Sequence, residues 1–289
     1  MIEQKYYNEV CQSYSFNSKG IEILRIEDLY RRRESLEKPH LLDFYLFIFY
    51  TEGESDHFID FSWNKVKKGT LVYLIKGQIN AFKFNKDLKG YAILFTKDYL
   101  NKQLNKIPKE AFVCLFTPNL YPSTFEIPES TRTINYVDFL FDEYSNNKDD
   151  SSQGYIIDSL YAIIFAKIEQ LKKHNTLYPS KSTKLSLFLK FEQLLEEEYQ
   201  ISRNADYYAK KLNITYQYLN QICKEIVNQS TKQFIDSFVI LDAKRRLINS
   251  DIKSSELAYV MGFEESTNFV KYFKKHTTFT PNQFKKLHI

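Results

Sequence analysis

The sequence predicts an α+β fold in two domains, β-rich at the N-terminus with flanking helices and all-α at the C-terminus. Three observations predict it. Before about residue 150 the apolar residues gather in short runs punctuated by glycine, as strands do. After it they recur at three and four, as in amphipathic helices. Between the regimes, residues 172–184 (KKHNTLYPSKSTK) are polar, hold Pro179 and lack an apolar period, the marks of a linker. A chain of 289 residues allows two domains of ordinary size, and 43% hydrophobic with 26% charged residues suits a buried core. The boundaries that follow are a first domain at 1–172, a linker at 173–184 and a second domain at 185–289.

Residues 41–50, 69–75 and 90–95 are the clearest strands, with turn signals at Glu52-Gly53-Glu54 and Lys76-Gly77. Short strands at a spacing of roughly ten residues point to a small sandwich or barrel. A helix over 153–174 follows from Ile156, Leu160, Ile163, Ile164, Ile168 and Leu171. Further on, 205–212 is a short helix in which Ala209 lets a second helix cross closely. Asn213-Ile214-Thr215 is a turn, and Thr215 is an N-cap for the next helix, which buries Leu219, Ile222, Cys223 and Ile226. Residues 231–249 read as one helix with Phe234, Phe238, Leu241 and Leu247 apolar and Arg245 and Arg246 adjacent. The pattern then repeats: a helix at 255–261 carrying Ala258, a turn at Gly262, and a helix at 266–276 burying Phe269 and Phe273.

Several classes are disfavoured. The longest apolar run, 41–50, is ten residues and contains Asp43, too short to span a bilayer. The first residues lack the basic start and apolar block of a secretory signal, so a cytoplasmic location is expected. Cys11, Cys114 and Cys223 are odd in number and far apart, which offers neither a disulfide framework nor a CxxC metal site. No P-loop, GxGxxG, HExxH or GxSxG motif occurs, and the five histidines are scattered, so no catalytic group and no cofactor is expected.

Charge is uneven. Residues 1–180 hold 23 Lys and Arg against 24 Asp and Glu, whereas 181–289 hold 17 against 12. A basic C-terminal third suits a domain facing an anionic polymer. On the helix after Thr215, the stripe opposite the apolar face is Gln217, Asn220, Gln221 and Lys224. Its amides suit paired hydrogen bonds to base edges, and its lysine suits phosphate or guanine. In the repeat, Ser266, Thr267, Val270, Lys271 and Lys274 are placed to face outward. The helix between has 19 residues and spans roughly 28 Å, against about 34 Å between successive major grooves on one face of B-DNA. With 32 lysines and eight arginines, guanine-reading forks are scarce and an A·T-rich target is expected.

The run Ala258-Tyr259-Val260-Met261-Gly262-Phe263-Glu264-Glu265-Ser266, with Phe269, Tyr272-Phe273-Lys274-Lys275 and Thr280-Pro281-Asn282-Gln283-Phe284, resembles the signature of AraC/XylS-type transcription regulators. Tyr208-Ala209, Leu212, Ile214-Thr215, Tyr218-Leu219 and Ala243-Lys244-Arg245-Arg246-Leu247 continue it, so the resemblance covers about the last hundred residues. It implies seven helices, two of them entering major grooves of double-stranded DNA, and control of transcription initiation through RNA polymerase in a bacterial cytoplasm, at the nucleoid. It places base contacts at Gln217, Asn220 and Gln221, then at Ser266, Thr267 and Lys271. By their own chemistry Lys224, Lys271 and Lys274, with the surrounding amides, are expected to hold phosphates. Three positions depart from the pattern. Asn228 and Thr278 stand where glycine is usual, and Ser254 stands where an aliphatic residue is usual. Asn tolerates a left-handed backbone and a β-branched Thr does so poorly, so a local difference is expected at Thr278.

Residues from about 21 to 150 resemble the cupin-like sensor domains of such regulators, through Pro39-His40, Asp43-Phe44-Tyr45, Gly69, Leu71-Val72, residues 76–82 (KGQINAF), Gly90-Tyr91 and Phe95. The resemblance implies a β-barrel whose mouth takes a small effector. Only His40 and His57 fall in this region, and Asn80 stands where a histidine is frequent, so no metal triad is expected. His40 and Asn80 are the candidate polar ligand contacts, with Trp63 as a wall. The helix at 153–174 corresponds in position to a dimerisation helix. Two alternatives remain: a regulator without ligand whose barrel only dimerises, and a cupin enzyme with an appended helical domain.

Overall fold

A computed structural model describes residue 16 and residues 19–104, 122–146, 152–174 and 183–288. These fall into two compact units, one closing with a helix that ends at His174 and one opening with a helix that starts at Thr183. Residues 173 and 174, expected in the linker, continue the preceding helix, and 183–184 begin the next. The remaining linker positions, 175–182, lie outside the described residues.

In the first unit the strands are β1 (Ile21–Arg25), β2 (His40–Leu41), β3 (Tyr45–Glu52), β4 (Glu54–Ile59), β5 (Ser62–Lys67), β6 (Thr70–Leu74), β7 (Ile79–Phe82), β8 (Lys89–Phe95) and β9 (Thr124–Glu126). They pair antiparallel in two sheets, ordered β1-β8-β3-β6-β9 and β2-β7-β4-β5. Among the described residues the strands do not close into one hydrogen-bonded cylinder. The arrangement is the sandwich side of the sequence expectation.

The run at 41–50 lacks alternation because its sheet is covered on both faces. In β3, Phe47 sits opposite Tyr73 of β6 and Ile93 of β8. These residues, with Phe49, Leu71 and Phe95, pack against α1 (Lys97–Leu104), α2 (Thr133–Ser145) and α3 (Gln153–His174). The alternate residues Leu46, Ile48, Tyr50, Val72 and Leu94 share a second core with Ile59, Val66 and Phe82 of the four-stranded sheet.

The face that α3 turns to its core differs from the predicted stripe. Ile157, Tyr161, Ile164, Phe165 and Ile168 are buried, and Leu160 and Leu171 pack at the margin. Ile156 and Ile163 are each 40% exposed. Tyr161 and Phe165 fill the gap against the sheet, which turns the helix away from the aliphatic stripe. Tyr155, Ile156 and Ile163 are left outward.

The second unit has seven helices: α4 (Thr183–Glu198), α5 (Ala205–Lys211), α6 (Tyr216–Val227), α7 (Thr231–Asn249), α8 (Ser254–Val260), α9 (Ser266–Thr277) and α10 (Pro281–His288). Their starts are written in the sequence. Asn204 accepts from the Asp206 N–H, Thr215 accepts from the Tyr218 N–H, and Ser230 forms a capping box with Gln233. The helix pairs α5–α6 and α8–α9 share one backbone path. Asn213 (φ +56°) and Gly262 (φ +76°) make the left-handed turn within each pair, and Asn228 (φ +54°) and Thr278 (φ +68°) make the one after it. Thr278 therefore takes the left-handed backbone that glycine would, with ψ −14° against +31° at Asn228. One core joins Phe188 and Phe191 to Tyr208 and Phe234. The other stacks Phe263, Phe269, Phe273 and Phe284. The connecting helix α7 has the predicted bounds but is buried along most of its length, with Ile235, Val239 and Ala243 deeper than Phe238 or Leu241.

Candidate nucleic-acid interface

On α6, burial of Leu219, Ile222 and Cys223 turns Gln217, Gln221 and Lys224 outward. Gln221 donates to Glu225 at 2.8 Å, and Lys184 of α4 closes on the same carboxylate at 2.6 Å. Hydrogen bonds from Lys184 and then Gln221 hold the Glu225 carboxyl below the ordinary range. Asn220 differs from its stripe mates. It is half-buried, and its Oδ1 accepts from the Thr231 N–H at 3.0 Å, tying α6 to the first turn of α7. A paired bond to adenine uses that same oxygen, which keeps a second lone pair beside the Thr231 bond.

On α9, Thr267, Lys271 and Lys274 are exposed and Ser266 is half-buried. The Thr267 hydroxyl donates to Glu265 at 3.1 Å. Tyr272 anchors the inner side of the helix by donating to Asp236 of α7 at 2.7 Å, and His276 lies 3.8 Å from the same carboxylate. Asn268 and Lys275 are also exposed. Sequence reasoning missed them, although Asn268, Lys271 and Lys275 stand at i, i+3 and i+7 and share the outward face. Glu264 and Glu265 precede α9, where carboxylates favour a helix start and repel phosphate.

In the first unit the candidate polar residues form a buried chain. His40 Nδ1 is 2.9 Å from the Lys38 carbonyl, and Asn80 Nδ2 is 3.2 Å from His40 Nε2. His57 Nε2 is 2.5 Å from Asn80 Oδ1, and the Tyr50 hydroxyl is 2.8 Å from His57 Nδ1. One assignment satisfies every link. Tyr50 donates to His57, His57 to Asn80, Asn80 to His40, and His40 to the carbonyl. Both imidazoles are then neutral, with opposite tautomers. Burial lowers the His40 pKa, and burial, with His40 nearby, pushes His57 down to about 4. His40 and Asn80 border a cavity of about 60 Å³ walled by Leu36, Leu42, Phe44 and Phe82. Trp63 is not part of it. That ring is 55% exposed on β5, packed on Phe58 with centroids 5.0 Å apart. Among the described residues no three His, Cys, Asp or Glu side chains gather as a metal site, and no helix is long and apolar enough to cross a membrane.

A helix-turn-helix domain family matches residues 208–287. The Msm operon regulatory protein of Streptococcus mutans is 27% identical over 131 residues, 45% of this chain and 47% of that protein. A helix-turn-helix-type transcriptional regulator encoded in the cgkA 5' region of Pseudoalteromonas carrageenovora is 33% identical over 92 residues, 32% of this chain and 54% of that one. The raffinose operon regulator RafR of Pediococcus pentosaceus is 25% identical over 114 residues, 38% of this chain and 41% of its own. The chain thus spans about half the length of the curated relatives it matches. Among solved structures, ToxT of Vibrio cholerae aligns over 93% of this chain and 98% of its own at 12% identity, with a TM-score of 0.48. Residues 208–287, the stretch that matches the helix-turn-helix domain family, carry both outward-facing polar helices.

Proposed function

We propose that the chain is a sequence-specific transcription regulator that lays α6 and α9 into successive major grooves on one face of a duplex. The observation that carries this reading is the pair of exposed polar helix faces within one compact unit, separated by the unbroken 19-residue α7. Gln217 and Gln221 read base edges from α6, and Ser266, Thr267 and Lys271 do so from α9, with Asn268 beside them. Lys224 and Lys274 hold phosphates. The carboxylates of Glu264 and Glu265 keep phosphate from the start of α9, so the backbone contacts of that helix fall toward its lysine-rich end. RNA polymerase is the partner at the promoter. The outward Tyr155, Ile156 and Ile163 of α3 form the face for a second copy.

Selection of bound fragments from a random duplex pool tests the reading. A motif of two boxes about 10 bp apart, centre to centre, is expected. A single box, or no enrichment at low salt, overturns it. Within a selected site, Gln217→Ala relaxes preference at one position at about 1–3 kcal/mol. Asn220→Ala instead weakens all sites and lowers stability by about 1 kcal/mol, through loss of the α7 cap bond.

The first unit serves as sensor or as dimerisation platform. Its mostly apolar cavity beside His40 and Asn80, with Arg32 also in the lining, suits a small, mostly apolar effector. Its volume of about 60 Å³ favours the second reading, a regulator whose sandwich only dimerises. A thermal-shift screen separates the two, because a ligand bound only by the folded state raises the melting temperature.

A further inference from the structure

The two helix-turn-helix pairs are joined by more than α7. The segment at 199–204, between α4 and α5, lies against the turn that links α8 to α9. Arg203 donates from Nη1 to the Met261 carbonyl at 2.8 Å and from Nη2 to the Gly262 carbonyl at 3.1 Å. Its guanidinium carbon stands 3.7 Å from the centroid of the Phe263 ring. Those carbonyls follow the last residue of α8, where a helix end leaves acceptors unfilled and carries partial negative charge. Arg203 therefore caps the C-terminal end of α8. Its neighbour Asn204 caps the N-terminal end of α5 through the Asp206 N–H, at 3.0 Å. Two consecutive residues thus grip one helix end from each pair. The approach is close throughout: the Tyr199 hydroxyl reaches Asp242 of α7 at 2.6 Å and Met261 Sδ at 3.9 Å.

We propose that Arg203 is a positioning residue for operator recognition, fixing the distance between α6 and α9 so that the domain accepts one spacing of half-sites. The role rests on the groove-reading function above. Without this grip, α8 and α9 keep their packing on α7, residues 250–253 and the Tyr272–Asp236 bond, while the 199–204 segment retains only the Tyr199–Met261 side-chain contact to them. A guanidinium can hold two carbonyls and a ring face at once, whereas an ammonium cannot. Arg203→Lys keeps the charge and loses the fork, which separates geometry from electrostatics.

The test uses the full chain and duplexes selected by the wild-type protein, together with versions in which one or two base pairs are inserted or deleted between the boxes. Affinities of wild type, Arg203→Lys and Arg203→Ala are titrated on each, at several salt concentrations. Wild type should show a sharp optimum of spacing. Both variants should lose about tenfold on the optimal duplex and much less on the altered ones, so the optimum flattens. Their salt dependence should match wild type, since Arg203 holds carbonyls rather than phosphates.

Equal loss at every spacing, a shallower salt dependence, or full rescue by lysine would each overturn the role. A wild type that enriches no duplex removes the groove-reading function and this role with it. A sharp wild-type optimum retained by both variants removes this role alone. Should Arg203→Ala fail to fold by far-ultraviolet circular dichroism, Arg203→Lys and Phe263→Leu, which removes the ring face under the guanidinium, give the same readout.

Discussion

Gly262 is the position where a single methyl group should do most damage. It turns α8 into α9 at φ +76°, and a Cβ there would lie 2.0 Å from the Gln200 carbonyl oxygen and 2.7 Å from its carbon. The neighbour is backbone, so it cannot swing aside as a flexible side chain would. Two costs add in Gly262→Ala. Left-handed backbone costs an L-residue about 1–2 kcal/mol, and forcing the 199–204 segment outward costs about 1–3 kcal/mol. A total of about 3 kcal/mol corresponds to a fall of roughly 15 °C in the melting of a unit this size. Calorimetry of the whole chain would measure it, with two other glycines as controls. Gly77 (φ +91°) has nothing within 4 Å, so Gly77→Ala should show the conformational cost alone. Gly154 lies in α3 with the same open space, so Gly154→Ala should stabilise by about 1 kcal/mol. If Gly262→Ala costs no more than Gly77→Ala, the close approach on which Arg203 depends is wrong.

Thr278→Gly relieves the left-handed strain after α9. Set against glycine's greater freedom in the unfolded chain, it should stabilise by about 0.5–1 kcal/mol in chemical denaturation; a loss of stability would show that Thr278 is not strained. Lys274→Ala should weaken binding to every duplex alike and reduce the salt slope by about 1, and a sequence-selective effect in titrations would reassign it to base reading. Burial lowers His57 to about 4 from its ordinary 6.5. Between those values the unfolded chain binds a proton that the fold refuses. Stability should therefore fall as pH drops from about 6.5 to 4, by on the order of 3 kcal/mol, and be flat above. His57→Gln should reduce that slope, leaving the part that His40 contributes, and an unchanged pH profile would place the titrating group elsewhere.

The second unit was legible nearly residue by residue because its signals are local. Caps such as Thr215 and Ser230, turn residues such as Asn228 and Gly262, and the apolar period of α6 each act within one or two helical turns. What escaped the sequence was contact across distance. Asn220 sits on the outward stripe by periodicity, yet its oxygen also accepts from the Thr231 N–H, a partner supplied by another helix. In α3 the aliphatic spacing is real, but Tyr161 and Phe165 supply the bulk the sheet needs and set which face turns inward. His57 enters the sequence reading only as one of two histidines too few for a metal triad, because its partners Tyr50 and Asn80 lie 7 and 23 residues away. Trp63 belongs to a strand that the alternation does not distinguish, since β5 is mostly polar and four of its six residues face water.

The five-stranded sheet has no wet side. Ile21, Phe47, Phe49, Ile93 and Phe95 are covered only by helices from later in the chain, α1 to α3. A fragment cut near residue 130 would keep all five strands and α1 but lose α2 and α3, leaving much of the aromatic plate bare and prone to clumping. The shortest N-terminal piece that can live alone in solution must run to the end of α3 at His174. Nascent chains face the same requirement, for the plate leaves the ribosome before the helices that shelter it.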